Sequence, residues 1–219
     1  MIQPTYTNAV DTKTLHTLLK KYARGAVLDV GCGDGSLKNW LPNGTTYHGI
    51  DQEAQPGVDQ VGDIHHLPFK NEEFETVLCT SVLEHVQNDA QVVSELYRVL
   101  KKDGTCIVTI PFMLHYHQDP EDYRRLTHAG LKELLKNNGF RDIQLFRNNG
   151  VYAMVEFTFF SVLVHARREH LWFKHWYSPL YYAFILGFFA FFKAATYLIG
   201  PLQKIDTSVY VGVAAVATK

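Results

Sequence analysis

The sequence predicts an α/β protein built on a mostly parallel sheet with helices on both faces, and three observations carry that expectation. Short apolar runs such as Ala26-Val27-Leu28-Asp29-Val30 alternate with stretches whose apolar residues recur at the helical period. The links between them are short, which suits repeated strand–helix units. The first run breaks off in Gly31-Cys32-Gly33-Asp34-Gly35, the kind of turn that follows the first strand of a doubly wound sheet.

The elements follow in order. Leu15, Leu18, Leu19 and Tyr22 mark a first helix, with Gly25 as its stop, and residues 26–30 form the first strand. A short helix carries Leu37, Trp40 and Leu41 and is closed by Pro42 and Asn43-Gly44. Residues 45–50 read as a second strand ending at Asp51, residues 60–62 as a third ending at Asp63, and 74–80 as a fourth. Val92, Val93, Leu96, Val99 and Leu100 line one face of the clearest helix. Asn88 and Gln91 cap its start, Lys101 and Lys102 suit its negative end, and Gly104 is expected to terminate it. Residues 105–111 are a fifth strand. Thr127 caps a helix with Leu131, Leu134 and Leu135, ended by Gly139, and residues 140–146 are a sixth strand. Residues 208–218, rich in Val and Ala, read as one more.

Composition narrows the function classes. The 219 residues suit one domain with an elaboration, and 47% apolar against 20% charged residues excludes a disordered chain. Twenty-one basic and 22 acidic side chains leave a net charge of -1, so no general grip on nucleic acid is expected. Cys32, Cys79 and Cys106 lack zinc or disulfide spacing; Cys79 and Cys106 sit in apolar runs as small hydrophobes.

Glycines at a strand end let backbone approach a ligand that a Cβ would displace. Asp51 stands near the offset of about 20 residues at which an acidic side chain meets ribose hydroxyls. The nicotinamide fingerprint wants a third glycine where Ser36 stands, which disfavours a nicotinamide oxidoreductase. Asp29-x-Gly31-x-Gly33-x-Gly35 instead resembles motif I of the class I S-adenosylmethionine-dependent methyltransferases, of the type 11-like kind. Later segments resemble the same family: Gly62-Asp63-Ile64 with Leu67-Pro68-Phe69, and Phe74-Glu75-Thr76-Val77 with Glu75 for the usual Asp. So do Ser81-Val82-Leu83-Glu84-His85-Val86, in the form x-x-Leu-Glu-His-Val, and Glu95-x-x-Arg98-Val99-Leu100-Lys101.

The resemblance covers residues 20 to 147 and the last strand. It implies a Rossmann-like seven-stranded sheet whose last strand, residues 209–217, runs antiparallel between strands five and six. The whole of 1–219 is then a single domain, with an apolar helical insert at 149–205. The implied cofactor is S-adenosyl-L-methionine, held by Asp29, Gly31, Cys32, Gly33, Asp51, Gln52, Asp63, Ile64, Ser81 and Glu84. Asp63 also reads as an ordinary turn carboxylate.

Methyl transfer from a sulfonium needs positioning above all, and a base where the acceptor carries a proton. His117-x-x-Pro120-x-Asp122-x-x-Arg125-x-Thr127 resembles a family segment in which Asp122 pairs with Arg125 and Thr127 caps a helix. His117 is the candidate base and His85 a second; each equally suits a loop-fixing histidine. His65 and His66 read as ordinary loop residues. No spacing is diagnostic of a metal site, and none is expected.

Residues 179–201 carry Lys193 as their one charge in a stretch just long enough to cross a bilayer, and residues 151–166 are apolar but shorter. Arg167, Arg168, Trp172, Lys174 and Trp176 between them have the composition of a headgroup-level belt. The insert therefore contacts a membrane surface, closes over the pocket as a lid, or forms a homodimer. With no leader pattern at the N-terminus, the expected site is the cytoplasm, free or peripheral to a membrane, including a monotopic attachment. The leading function is methylation of an amphiphilic or lipid-linked acceptor. The alternatives are a soluble methyltransferase for a small molecule and a non-catalytic scaffold.

Overall fold

The computed structural model describes residues 12–113, 121–147, 183–184, 187–188, 190–191 and 210–219. The chain divides into two compact units. The first holds a seven-stranded sheet with strand order β3-β2-β1-β4-β5-β7-β6. Its strands are β1 (Ala26–Val30), β2 (Thr46–Asp51), β3 (Gln60–Val61), β4 (Phe74–Thr80), β5 (Leu100–Pro111), β6 (Arg141–Arg147) and β7 (Gly212–Thr218). The pairs among β1 to β5 are parallel, and β7 runs antiparallel to both β5 and β6. That is the topology expected for the last strand. The helices are α1 (Thr12–Tyr22), α2 (Asp89–Val99) and α3 (His128–Asn137).

Burial explains the runs that mark these elements. Leu15, Leu18 and Leu19 of α1 pack with Val27 of β1, Leu78 of β4, Ile107 of β5, and Ala214 and Val216 of β7, so α1 joins four strands into one core. The buried stripe of α2 is Val92, Val93, Leu96 and Val99, and that of α3 is Leu131 and Leu135. Both expected caps form: Asn88 Oδ1 accepts the Gln91 N–H at 3.2 Å, and Thr127 Oγ1 accepts that of Gly130 at 3.1 Å. All three cysteines are free and buried.

Two expected elements differ. The short helix is a 3-10 turn, Ser36–Trp40, because Gly35 and Pro42 leave too few residues for α-helical bonding. Helix α2 ends at Val99, not beyond Leu100. Leu100 is extended (φ -75°, ψ 135°) and already pairs with Phe74, so Lys101 and Lys102 belong to β5. The register then shifts before Thr105 meets Thr76, with Asp103 left-handed at φ 58°. Gly104 serves this irregularity, where a Cβ would lie 2.8 Å from the Lys101 carbonyl.

Glu95 and Arg98, one turn apart on α2, buckle the segment after β3 to the helix. Arg98 donates to both Glu95 oxygens at 2.7 Å and to the carbonyls of Leu67 and Phe69 at 2.8 Å, while the Leu67 N–H donates to Glu95 Oε2 at 2.7 Å. The segment from Asp122 to Thr127 is fastened similarly. Arg125 forks onto Asp122, and Arg124 binds Asp89 and the carbonyls of Val86 and Gln87.

In the second unit, the Met113 N–H donates to the Val211 carbonyl at 2.9 Å, and Phe184 and Phe191 are exposed. The expected insert at 149–205 lies outside the described residues apart from six positions, and His117 lies outside them as well.

Arg98→Ala would strand two carbonyls and a carboxylate. The expected loss is about 2–4 kcal/mol of folding stability, read from the urea midpoint. Arg98→Lys should recover only part of it, because an ammonium cannot fork between carboxylate and carbonyls.

Candidate cofactor site

The sheet reverses direction of growth at β1, which has β2 on one side and β4 on the other. Chain leaving the carboxyl ends of these two neighbours diverges there and leaves a crevice. A cavity of about 820 Å³ occupies it, lined by the residues that follow β1, β2, β3 and β4. Gly31, Asp51, Gln52, Val61, Gly62, Asp63 and Ile64 form one part of the wall, and Ser81, Val82, His85, Val86, Gln87, Asn88 and Tyr123 another, with His65 at the rim.

The glycine turn is shaped by two distinct demands. Gly31 has φ 70°, and a Cβ there would sit 2.4 Å from a Val82 methyl, so a side chain is excluded by both backbone and space. Gly33 has φ 54°, yet a Cβ would meet nothing within 4 Å. Its surroundings are open, although Gly33, unlike Gly31, is not among the residues that line the cavity. The turn is anchored entirely to β2. The N–H groups of Gly31 and Cys32 share the Ile50 carbonyl at 2.9 and 3.1 Å, and the Gly33 N–H donates to Asp51 Oδ2 at 2.8 Å.

Asp51 therefore spends one carboxylate oxygen on the turn. Oδ1 has only a long 3.4 Å contact from the Glu53 N–H among the described residues, leaving it able to accept from a ligand hydroxyl. Asp63 Oδ1 accepts the His65 backbone N–H and ring Nδ1, both at 2.8 Å, and these bonds hold its carboxyl below the usual range. It does the work of a turn carboxylate while standing at the cavity wall. Ser81 caps β4 in a left-handed conformation (φ 55°) with its N–H on the Thr109 carbonyl at 3.0 Å, a strained position at the mouth of the site.

Three of the residues implied by the resemblance are buried and do not line the cavity: Asp29, Cys32 and Glu84. Asp29 Oδ2 accepts the Tyr47 hydroxyl at 2.9 Å and Oδ1 has no partner among the described residues. Burial pushes its carboxyl up to about 7, and Asp51 and Asp34 push the same way. Burial also pushes the Cys32 thiol up to about 12, so it is inert. Neither Glu84 oxygen has a hydrogen-bond partner among the described residues, and desolvation raises that carboxyl to about 7 as well.

His85 lines the cavity with Nδ1 2.5 Å from the Glu121 carbonyl and Nε2 3.8 Å from Glu84 Oε1. The carbonyl fixes a proton on Nδ1, because it can only accept. His65 and His66 both lean on Asp63. Two residues of consequence were not singled out from sequence. Tyr47 carries no motif, and its reach to Asp29 follows from a β1–β2 register in which Val27 faces Tyr47. Tyr123 is held by its N–H on the Glu84 carbonyl at 2.7 Å and by Gln87 on its hydroxyl at 3.1 Å. Its signal was its place inside the Asp122–Arg125 motif.

The raised Glu84 carboxyl has a consequence for stability. Between its unfolded value near 4.5 and its folded value of about 7, the native state keeps a proton that the unfolded chain has lost. Folding takes up a proton in that window, so this contribution is full at low pH and vanishes as pH rises through about 7. Glu84→Gln should therefore gain melting temperature relative to wild type as pH rises from about 5 to about 8. An unchanged difference across the range would contradict it.

Known proteins agree with this architecture. Residues 28–108 match a family described as a methyltransferase domain. A probable S-adenosylmethionine-dependent methyltransferase of Mycolicibacterium smegmatis is 30% identical over 52% of this chain and 51% of its own length. A demethylmenaquinone methyltransferase of Lactobacillus johnsonii is 26% identical over 60% of this chain and 74% of its own. The chain spans about half the length of the first curated relatives it matches, 45% and 51%. The crystal structure of an S-adenosylmethionine-dependent methyltransferase from Archaeoglobus fulgidus superposes with a TM-score of 0.58 at 16% identity, over 94% of this chain and 90% of that one, which shows a shared fold. Residues 28–108 match the methyltransferase domain family, and the sheet order and glycine turn are those found in class I S-adenosylmethionine-dependent methyltransferases.

Proposed function

We propose that this chain transfers the methyl group of S-adenosylmethionine to an amphiphilic or lipid-linked acceptor presented at a membrane surface. The observation that carries the methyltransferase reading is the cavity at the ends of β1 to β4, bordered by Gly31 of the glycine turn and by Asp51 with its available oxygen. The residues present suit the cofactor. Asp51 accepts from ribose hydroxyls, Gln52, Asp63 and Ile64 border the adenine, and the Gly31–Gly33 backbone approaches the methionine part. The bound cofactor supplies an electrophilic methyl group. The protein then has to orient the acceptor in line with it and exclude water.

Val86, Gln87, Asn88 and Tyr123 form the acceptor wall in this reading, with His85 beside them. His117 remains the second candidate base on its sequence motif. The lipid-linked acceptor is supported by the relative named for demethylmenaquinone and by the apolar, Trp- and Arg-flanked composition of residues 151–201. No helix among the described residues is long and apolar enough to cross a membrane. A peripheral or monotopic attachment on the cytoplasmic side is the form of contact proposed.

Two measurements test this reading. Calorimetric titration should show S-adenosylmethionine binding that weakens about 10- to 100-fold in Asp51→Ala, the loss of one or two charge-assisted hydrogen bonds. Absent binding in the wild type would end the methyltransferase reading. Co-sedimentation with anionic liposomes should carry the intact protein into the pellet. A protein that stays in the supernatant as a monomer would leave a soluble small-molecule methyltransferase in its place.

A further inference from the structure

Tyr123 is an aromatic residue left 45% exposed in a segment that is otherwise bound down. Residues 121–125 are fastened along residues 84–89, which follow β4. The Tyr123 N–H donates to the Glu84 carbonyl at 2.7 Å, and the Glu121 carbonyl meets His85 Nδ1 at 2.5 Å. The Arg124 guanidinium reaches the carbonyls of Val86 and Gln87 and the Asp89 carboxylate. The ring therefore does not owe its exposure to a loosely held backbone. It lines the cavity beside Val82, Val86, Gln87 and Asn88. An aromatic ring fixed at a cavity wall with so much of its surface uncovered is apolar area that a ligand can bury.

The polar end of the side chain is arranged as well. Gln87 Nε2 donates to the Tyr123 hydroxyl at 3.1 Å, so the oxygen accepts there and its own proton points elsewhere. A hydroxyl that accepts one hydrogen bond donates the next one more strongly. The neighbouring amide N–H groups are already engaged. Gln87 Nε2 makes this bond, and Asn88 Nδ2 donates to Gln91 Oε1 at 3.2 Å. Asn88 Oδ1 is held in turn by the Gln91 backbone N–H at 3.2 Å. Along this stretch of wall the Tyr123 proton is the donor available to a ligand.

Resting on the methyltransferase reading above, we propose that Tyr123 is a specificity-determining residue for the methyl acceptor: its ring stacks on a planar ring of the acceptor, and its hydroxyl donates to an oxygen carried by that ring. The substrate class is an aromatic ring bearing an ether, hydroxyl or carbonyl oxygen. Val82 and Val86 supply the apolar flank. Stacking fixes the plane of the acceptor, and the single hydrogen bond fixes its rotation within that plane. Those are the two constraints that an in-line transfer places on a flat acceptor.

The experiment is an NMR titration of the full chain saturated with S-adenosylhomocysteine, with anisole and ethylbenzene as probes. The two have nearly the same shape, and only anisole carries an oxygen. The wild type should bind anisole about 2- to 10-fold more tightly than ethylbenzene, the effect of one neutral hydrogen bond. Tyr123→Phe keeps the ring and loses the donor, so the preference should vanish while ethylbenzene affinity stays unchanged. Tyr123→Ala should weaken both probes. Both variants should bind S-adenosylhomocysteine as the wild type does, which also reports that they are folded. Equal binding of the two probes by the wild type overturns the proposal, and so does a preference that survives Tyr123→Phe. Failure of the probes to bind the saturated protein overturns it too, and in each of these cases the methyltransferase reading stands. Failure of the wild type to bind S-adenosylhomocysteine overturns both.

Discussion

The hydrogen bond from the Gly33 N–H to the Asp51 carboxylate is the constraint on which the site depends. It is charge-assisted, and it ties the turn after β1 to the end of β2. Together with the two N–H groups on the Ile50 carbonyl, it lets β2 dictate the path of the glycine turn. On the other side, Val82 after β4 lies so near Gly31 that a single methyl group would not fit. The spacing of three strand ends is therefore set by one carboxylate, one carbonyl and one missing side chain. The cavity is what remains where those ends part.

Much of what makes the chain resemble its family acts as fastening. Glu95 and Arg98 bind no part of the cavity; they hold the Leu67–Asn71 segment that leads away from Asp63 and Ile64. Glu75, standing where the family has Asp, accepts the Ala26 N–H at 2.7 Å and Lys101 at 2.5 Å, pinning the start of β1 to β4 and β5. Arg124 and Arg125 are committed to carbonyls and carboxylates of the rim. The wall that includes Tyr123 presents no lysine or arginine among the described residues.

The strands were legible because burial on both faces writes them as continuous apolar runs, and β1 and β4 fall where the runs are. The boundary at Leu100 was not, because an apolar residue serves a helix face and a buried strand equally well. Only the pairing of Leu100 with Phe74, a contact remote in sequence, decides it. The site was legible to the same degree. Gly31, Asp51, Gln52, Asp63, Ile64, Ser81 and His85 do converge on one cavity, since each follows a strand whose end the topology gathers. Burial is what spacing could not show. Asp29 and Glu84 look like any carboxylates in the sequence, yet both are sealed from solvent. Tyr47 is invisible until the β1–β2 register brings its hydroxyl to Asp29.

Glu84 and Asp51 bear differently on the proposed reaction. Methyl transfer from a sulfonium disperses a positive charge, so a fixed anion beside the reacting centre would stabilise the starting state more than the transition state. Glu84 stands between Ser81 and His85, both at the cavity wall, and burial without a donor keeps it protonated up to about 7. Its neighbourhood is thus polar without being anionic. In the proposed reading Asp51 meets hydroxyls that do not change during transfer, where a lasting charge does no such harm, and the Gly33 N–H donates to that carboxylate. Burial in one place and a backbone donor in the other distribute ionisation unevenly across one cavity. That division asks no more of the sequence than three carboxylates set at the ends of neighbouring strands.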